Sequence, residues 1–286
     1  MAAMPIFWKL GNLLAYIFLL GINLYSDLEP NQAKSPYFLS HTTYITPAYF
    51  TFYVWFLIHL LLGGFVIYQF FPGNDEIIAD GINFHFFAIA LLNSLWLFLW
   101  EIDFLFLGFI VILFVLLQIS FVYWKLKKPE FRSENIFQTL FIHAPFSLYH
   151  AWILIIAVLT IYATFTPARP IAYDPAAIED VEPIADETIT DTSSVYYEGP
   201  TILVQILVIL GLLFMECTAI GYIEKFKGDL AGAAVIAWTL YGVWSEQQDA
   251  IIRWTAFVLA LVTTLHMLRP LILKYVFKKD GIPIFA

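Results

Sequence analysis

Phe52, Trp55, His59 and Gly63 step by three, four and four residues along the apolar stretch TPAYFTFYVWFLIHLLLGGFVIY, residues 46–68. On a helix that spacing puts all four on one face. The face would be aromatic at one end and polarisable in the middle, with a glycine where a neighbouring backbone can approach. His150 falls at comparable depth in a second apolar stretch and Asn93 in a third. Two readings of the histidines stay open: a polar pair that contacts a ligand, or a helix–helix hydrogen bond inside the protein. Two histidines with no acid beside them do not make a metal site. Asn93 needs a partner, because an unsatisfied amide in hydrocarbon costs several kcal/mol, and gluing two helices together is its expected role.

The elements that must position these groups follow from composition. The chain has 286 residues, 61% hydrophobic and 13% charged, where a soluble domain carries about a quarter charged residues. A bilayer core about 30 Å thick takes roughly 20 apolar residues per helix. The sequence divides into eight such spans, at about 5–25, 47–71, 84–101, 104–124, 142–165, 200–223, 230–246 and 250–275. The first resembles a signal sequence but lacks a small-residue cleavage site, so an uncleaved helix is expected. Pro47 suits the first turn of the second span. Only EIDF separates the third span from the fourth, enough for a tight turn. The fold class is therefore all-α, a polytopic membrane bundle of about eight helices. Membrane lipids are its first partners.

Charge is unevenly placed. Residues 166–199 carry eight acids against Arg169 alone, and so account for −7 of the net −9. This segment also holds Pro167, Pro170, Pro175 and Pro183 and reads as a solvated linker between two helix groups. Lys125, Lys127, Lys128 and Arg132 follow the fourth span, Lys225 and Lys227 the sixth, and a basic tail the eighth. With eight spans these fall on one side, which makes that side cytoplasmic or its equivalent, with both termini there. No basic patch is available for nucleic acid. Cys217, the single cysteine, excludes an internal disulfide and reads as a small packing residue. Glu216 lies where it can snorkel or pair with a lysine, and Glu246 to Asp249 read as a solvated turn. No nucleophile–base set, phosphate loop or intramembrane carboxylate pair is visible, so nothing points to an enzyme.

At the level of motifs the chain resembles the translocator protein, or tryptophan-rich sensory protein (TspO), family. Pro47, Tyr49, Trp55, Ile58, His59 and Gly63 match the family's second helix, with histidine in place of the usual tyrosine. Leu92, Asn93, Trp96 and Trp100 in LNSLWLFLW match its third, and Ala151 and Trp152 in APFSLYHAW its fifth. The last stretch is similar to a longer, eight-helix branch. The resemblance covers about residues 5–165 and implies a division into a five-helix core (1–165), the acidic loop (166–199) and a three-helix extension with a basic tail (200–286). It implies a pocket walled by Tyr49, Phe52, Trp55, His59, Asn93, Trp96, Trp100 and Trp152. The ligand it implies is a tetrapyrrole, sterol or related lipid, held for sensing or transfer, with His59 or Asn93 at its polar edge. No cofactor is certain. The resemblance also makes a homodimer reasonable. The alternative is a non-catalytic accessory subunit of a membrane complex, and a third reading is a small-molecule transporter.

Overall fold

Apolar stretches bounded by turn residues become helices wherever the sequence places a span. The computed structural model describes residues 3–28, 41–133, 135–169, 199–225 and 229–275, so most of the acidic loop and the basic tail lie outside the described residues. Its long helices are α1 (Ala3–Leu28), α2 (Tyr53–Tyr68), α3 (His85–Glu101), α4 (Leu105–Leu126), α5 (Ala144–Phe165), α6 (Ile202–Glu224), α7 (Leu230–Glu246) and α8 (Ala250–Tyr275). Among the described residues six stretches are long and apolar enough to cross a membrane, and His85–Glu101 is a shorter apolar helix. The protein is therefore an all-helical, multi-pass membrane protein. Large apolar side chains on outward faces, such as Phe56, Leu60 and Ile67 of α2 and Phe114 and Leu117 of α4, are exposed for lipid to cover.

Helix ends follow local chemistry. Pro145 sits in the first turn of α5, where its missing N–H costs nothing. Thr201 and Asp229 accept hydrogen bonds from the amides of Val204 and Gly232, capping α6 and α7. Between α3 and α4 the chain reverses in one tight turn, with Asp103 at φ 64°. One start departs from expectation. The regular part of α2 begins at Tyr53, because Tyr49–Phe52 is a 3-10 turn and the Ala48 amide bonds to the Gly242 carbonyl of α7.

Packing closes helices α1 to α5 into a ring in the order 1-2-5-4-3, with α3 returning to α1. Helices α6, α7 and α8 pack on one another, and α7 packs against α5. The ring is thus a five-helix core and the last three helices an extension on its flank. Helix α5 belongs to both groups.

A polar seam fastens the two at their basic ends. Asp229 Oδ2 accepts hydrogen bonds from Tyr123 Oη at 2.7 Å and Ser147 Oγ at 2.6 Å, and Lys127 Nζ lies 3.0 Å away. One turn deeper His150 bonds to Ser120 and Tyr222 and stacks on Tyr123 at 4.4 Å between ring centroids. Burial alone would raise the carboxyl pKa of Asp229. Lys127, Ser147 and Tyr123 outweigh it and hold the group below its ordinary 3.8. A folded-state pKa that is lowered contributes stability above the unfolded value, and this is lost as pH falls through the folded one. Thermal unfolding in detergent should therefore show a melting temperature that drops as pH is taken below about 3.8. Lys127→Met, which strands a buried carboxylate, should cost about 3–5 kcal/mol at neutral pH.

Candidate functional site

Inside the ring the aromatic residues of α2, α3 and α5 meet. Trp55 is the contact point on α2: its ring lies 5.0 Å from His59, 5.4 Å from Tyr149 and 6.3 Å from Trp152. Its indole N–H donates to Asn23 Oδ1 of α1 at 2.8 Å, which fixes the ring in place. Phe52 joins the two halves, edge-on to Trp152 at 5.6 Å and lining a cavity with Trp96 and Trp100. Those two α3 rings lie 5.4 Å apart. Asn93 precedes them by one and two turns, on the same helix face.

Seven of the eight expected residues are therefore buried in the core. Tyr49 is not: it is 38% exposed and edge-on to the exposed Tyr53, a pairing that suits an interfacial aromatic belt. The glycine expectation also changes. Gly63 faces the side chain of Tyr16, whose hydroxyl would sit 2.8 Å from an added Cβ and donates to the His59 carbonyl. A tyrosine fills the space that a neighbouring backbone was expected to use.

The polar groups of this site are its most informative feature. His59 and Asn93 are buried, yet neither ring nitrogen of His59 and neither amide atom of Asn93 has a hydrogen-bond partner among the described residues. The Trp152 indole N–H is likewise without one. Asn93 does not glue helices together. His59 and His150 do not pair either, since His150 turns away into the seam between α4, α5 and α6. Leaving such groups unmatched costs about 1–3 kcal/mol each, so the core carries hydrogen-bonding capacity that its own fold does not use.

The cavity is small. Lined by His41, Thr46, Phe52, Trp96, Trp100, Ile156, Leu159 and Thr160, it has a volume of about 10 Å³, room for about one water molecule. That is far below the roughly 300–1,000 Å³ of ligand pockets. His41 packs edge-on against Trp100 at 4.8 Å and reaches its carbonyl at 3.3 Å. Among the described residues no group of three His, Cys, Asp or Glu could hold a metal ion.

A family model described as TSPO-like protein matches residues 8–170, more than half of the chain. The chain belongs to the TSPO-like family. The matched region spans the five-helix ring and stops before α6, so the extension lies beyond it. No curated protein sequence and no solved structure matches the chain.

Other expectations about polar residues change outside the TSPO-like core. Glu216 neither snorkels nor meets a lysine, because it is buried and accepts a hydrogen bond from Thr263 of α8. Cys217, expected in packing, is exposed. The turn at Glu246 to Asp249 is not simply solvated: Gln247 is buried, Glu246 pairs with Arg169, and Asp249 accepts from Gln205. Asn23, Tyr149 and His41 join the site without having been singled out. The polar asparagine in the first apolar span was the available signal for Asn23.

The unmatched groups generate a stability prediction. Removing an unsatisfied buried polar group while keeping volume relieves its desolvation penalty. His59→Leu and Asn93→Leu should each raise ligand-free stability, by about 1–2 kcal/mol on that scale, read as a higher melting temperature. A fall in both variants would mean that these side chains already have partners.

Proposed function

We propose that this TSPO-like protein binds a hydrophobic ligand inside the five-helix ring, for sensing or transfer. The observation that carries the reading is the buried His59, Asn93 and Trp152 indole, without partners among the described residues, set among tilted and edge-on aromatic rings. A ligand with a flat apolar body would bury against Phe52, Trp55, Trp96 and Trp152, and its polar edge would supply the hydrogen bonds that His59 and Asn93 lack. Tetrapyrroles and sterols both have that character, and the family resemblance favours them. Of the groups named here only Phe52 and Trp96 line the existing cavity, so the site must open to admit such a molecule.

Lys9, Lys125, Lys127, Lys128, Arg132 and Lys225 gather at the end where α2, α4 and α6 finish, against Arg169 and Arg253 at the other. This asymmetry supports a topology with both termini on the cytoplasmic or equivalent side. In that topology the cavity lined by His41 would face the opposite side.

The test uses full-length protein in nanodiscs and protoporphyrin IX as the probe. Binding should quench tryptophan fluorescence in a saturable manner. Trp55→Ala should weaken binding by at least tenfold with the helical circular-dichroism signal unchanged, and His59→Leu should weaken it while raising the melting temperature. Native mass spectrometry provides the second arm. A discrete sterol- or pigment-sized mass retained by the wild type and lost in Trp55→Ala supports the pocket. Fixed partner subunits on a chain that binds no porphyrin or sterol would favour the accessory-subunit reading instead.

A further inference from the structure

Residues 41–52 cross the end of the ring opposite the basic seam as an irregular strap that closes in a 3-10 turn. One side of this strap lines the aromatic cavity through His41, Thr46 and Phe52. Its backbone is held by the extension. The Ala48 amide donates to the Gly242 carbonyl at 3.0 Å, and the Gln247 side-chain amide donates to the carbonyls of Thr46 at 2.7 Å and Thr43 at 3.3 Å. Trp238 donates its indole N–H to the Thr51 carbonyl at 3.3 Å. Arg169 closes the clamp, since its amide donates to the Thr42 carbonyl at 2.8 Å and its guanidinium grips Glu246.

The fit is close as well as polar. A Cβ at Gly242 would lie 2.0 Å from Thr51 Oγ1 and 3.0 Å from Pro47 Cβ, so only glycine lets the strap seat against α7. Gln247 is 1% exposed, which shields both of its hydrogen bonds from water.

We propose that the helical extension controls access to the aromatic cavity through this strap, with Gln247 as the positioning residue that keeps it shut. The consequence for a ligand rests on the binding reading above; the lock itself does not. Some element must move before anything larger than the cavity enters. The cavity's lining residues outside helices are His41 and Thr46, both on the strap. Helix α5, which supplies the opposite wall, is packed from both groups of helices and has little freedom. Irregular chain held by a few hydrogen bonds opens locally more readily than a packed helix. Apart from the Arg169 amide bond to Thr42 and the contact of His41 with the Trp100 carbonyl, the bonds that hold it come from α7 and the turn after it, outside the region matched by the TSPO-like family. In this chain the extension therefore has a task that the five-helix core does not perform for itself.

Hydrogen exchange on full-length protein in nanodiscs, without ligand, tests the lock. Gln247→Leu should speed exchange of the Thr43 to Thr51 amides roughly tenfold, the expected effect of losing two buried hydrogen bonds. Amides of α2 and α5 should keep their protection. Gly242→Ala should act in the same way by pushing the strap off. Adding Thr51→Ala, which removes the nearest clashing atom, should restore part of the protection. Stopped-flow tryptophan quenching with protoporphyrin IX then reads access: in Gln247→Leu association and dissociation should both accelerate, with Kd within about twofold of wild type. Unchanged strap exchange in both single variants would overturn the lock. Faster strap exchange with unaltered porphyrin kinetics would overturn control of access. A wild type that binds no porphyrin sinks the binding reading for that ligand class and leaves the lock to be judged by exchange alone. Should Gln247→Leu lose protection everywhere, the Gly242→Ala and Gly242→Ala/Thr51→Ala pair decides.

Discussion

Helix α5 is the element on which the rest of the bundle depends, because protein covers it on nearly every side. From Pro145 to Thr160 all but one of its residues, His150, are buried, whereas α4 and α6 each leave a broad apolar face to lipid. A helix surrounded in this way must match every polar group it carries with a partner inside the protein. Helix α5 does so unequally. His143, Ser147 and His150 step by four and three along one face, and of these Ser147 and His150 bond into the seam with α4, α6 and α7. Tyr149 and Trp152 lie on the face toward the ring, where the Trp152 indole finds no partner among the described residues. One face holds the architecture together, and the other leaves unused hydrogen-bonding capacity in a confined aromatic space.

That inequality separates structure from function. A buried ion pair such as Lys127–Asp229 is weak evidence for stability, because desolvation offsets much of its attraction, and its better attested use is to fix one arrangement over others. Here it fixes how the extension meets the core, since Asp229 also caps α7 and bonds to side chains of α4 and α5. The unmatched His59 and Asn93 do the reverse, lowering stability without fixing anything in the ligand-free fold. Groups that cost stability in this way mark places where a fold meets something other than itself.

Apolar periodicity made the helices and their order readable, because a span long enough for the bilayer allows few other structures. Phe52, Trp55 and His59 were readable as one face because helical spacing alone aligns them. The seam was not readable. Tyr123, Lys127, Ser147 and Asp229 are separated by up to 106 residues, and each alone is an ordinary interfacial residue. Lys127 counted only toward topology. The strap was hidden for the same reason. Its partners lie about 200 residues further along the chain, so Gln247 looked like part of a polar turn. Local pattern reports which face is apolar, and it is silent about which distant backbone a buried amide will bond.

The placement of these two non-local devices has a physical logic. The seam joins extension to core at the basic end, with charge, at a place where α4, α5, α6 and α7 converge and movement would expose a buried carboxylate. The strap joins them at the other end mainly with neutral hydrogen bonds, over a cavity with uncharged aromatic, aliphatic and threonine walls beside His41. Breaking a neutral hydrogen bond that water can replace costs far less than stranding a charge in hydrocarbon. An extension fixed by charge at one end and mainly by neutral hydrogen bonds at the other is held most firmly at the seam. His59 and Asn93 lie inside the ring but do not line that cavity, so on the proposed binding reading a ligand would reach them only after the strap had opened and the aromatic rings between had shifted.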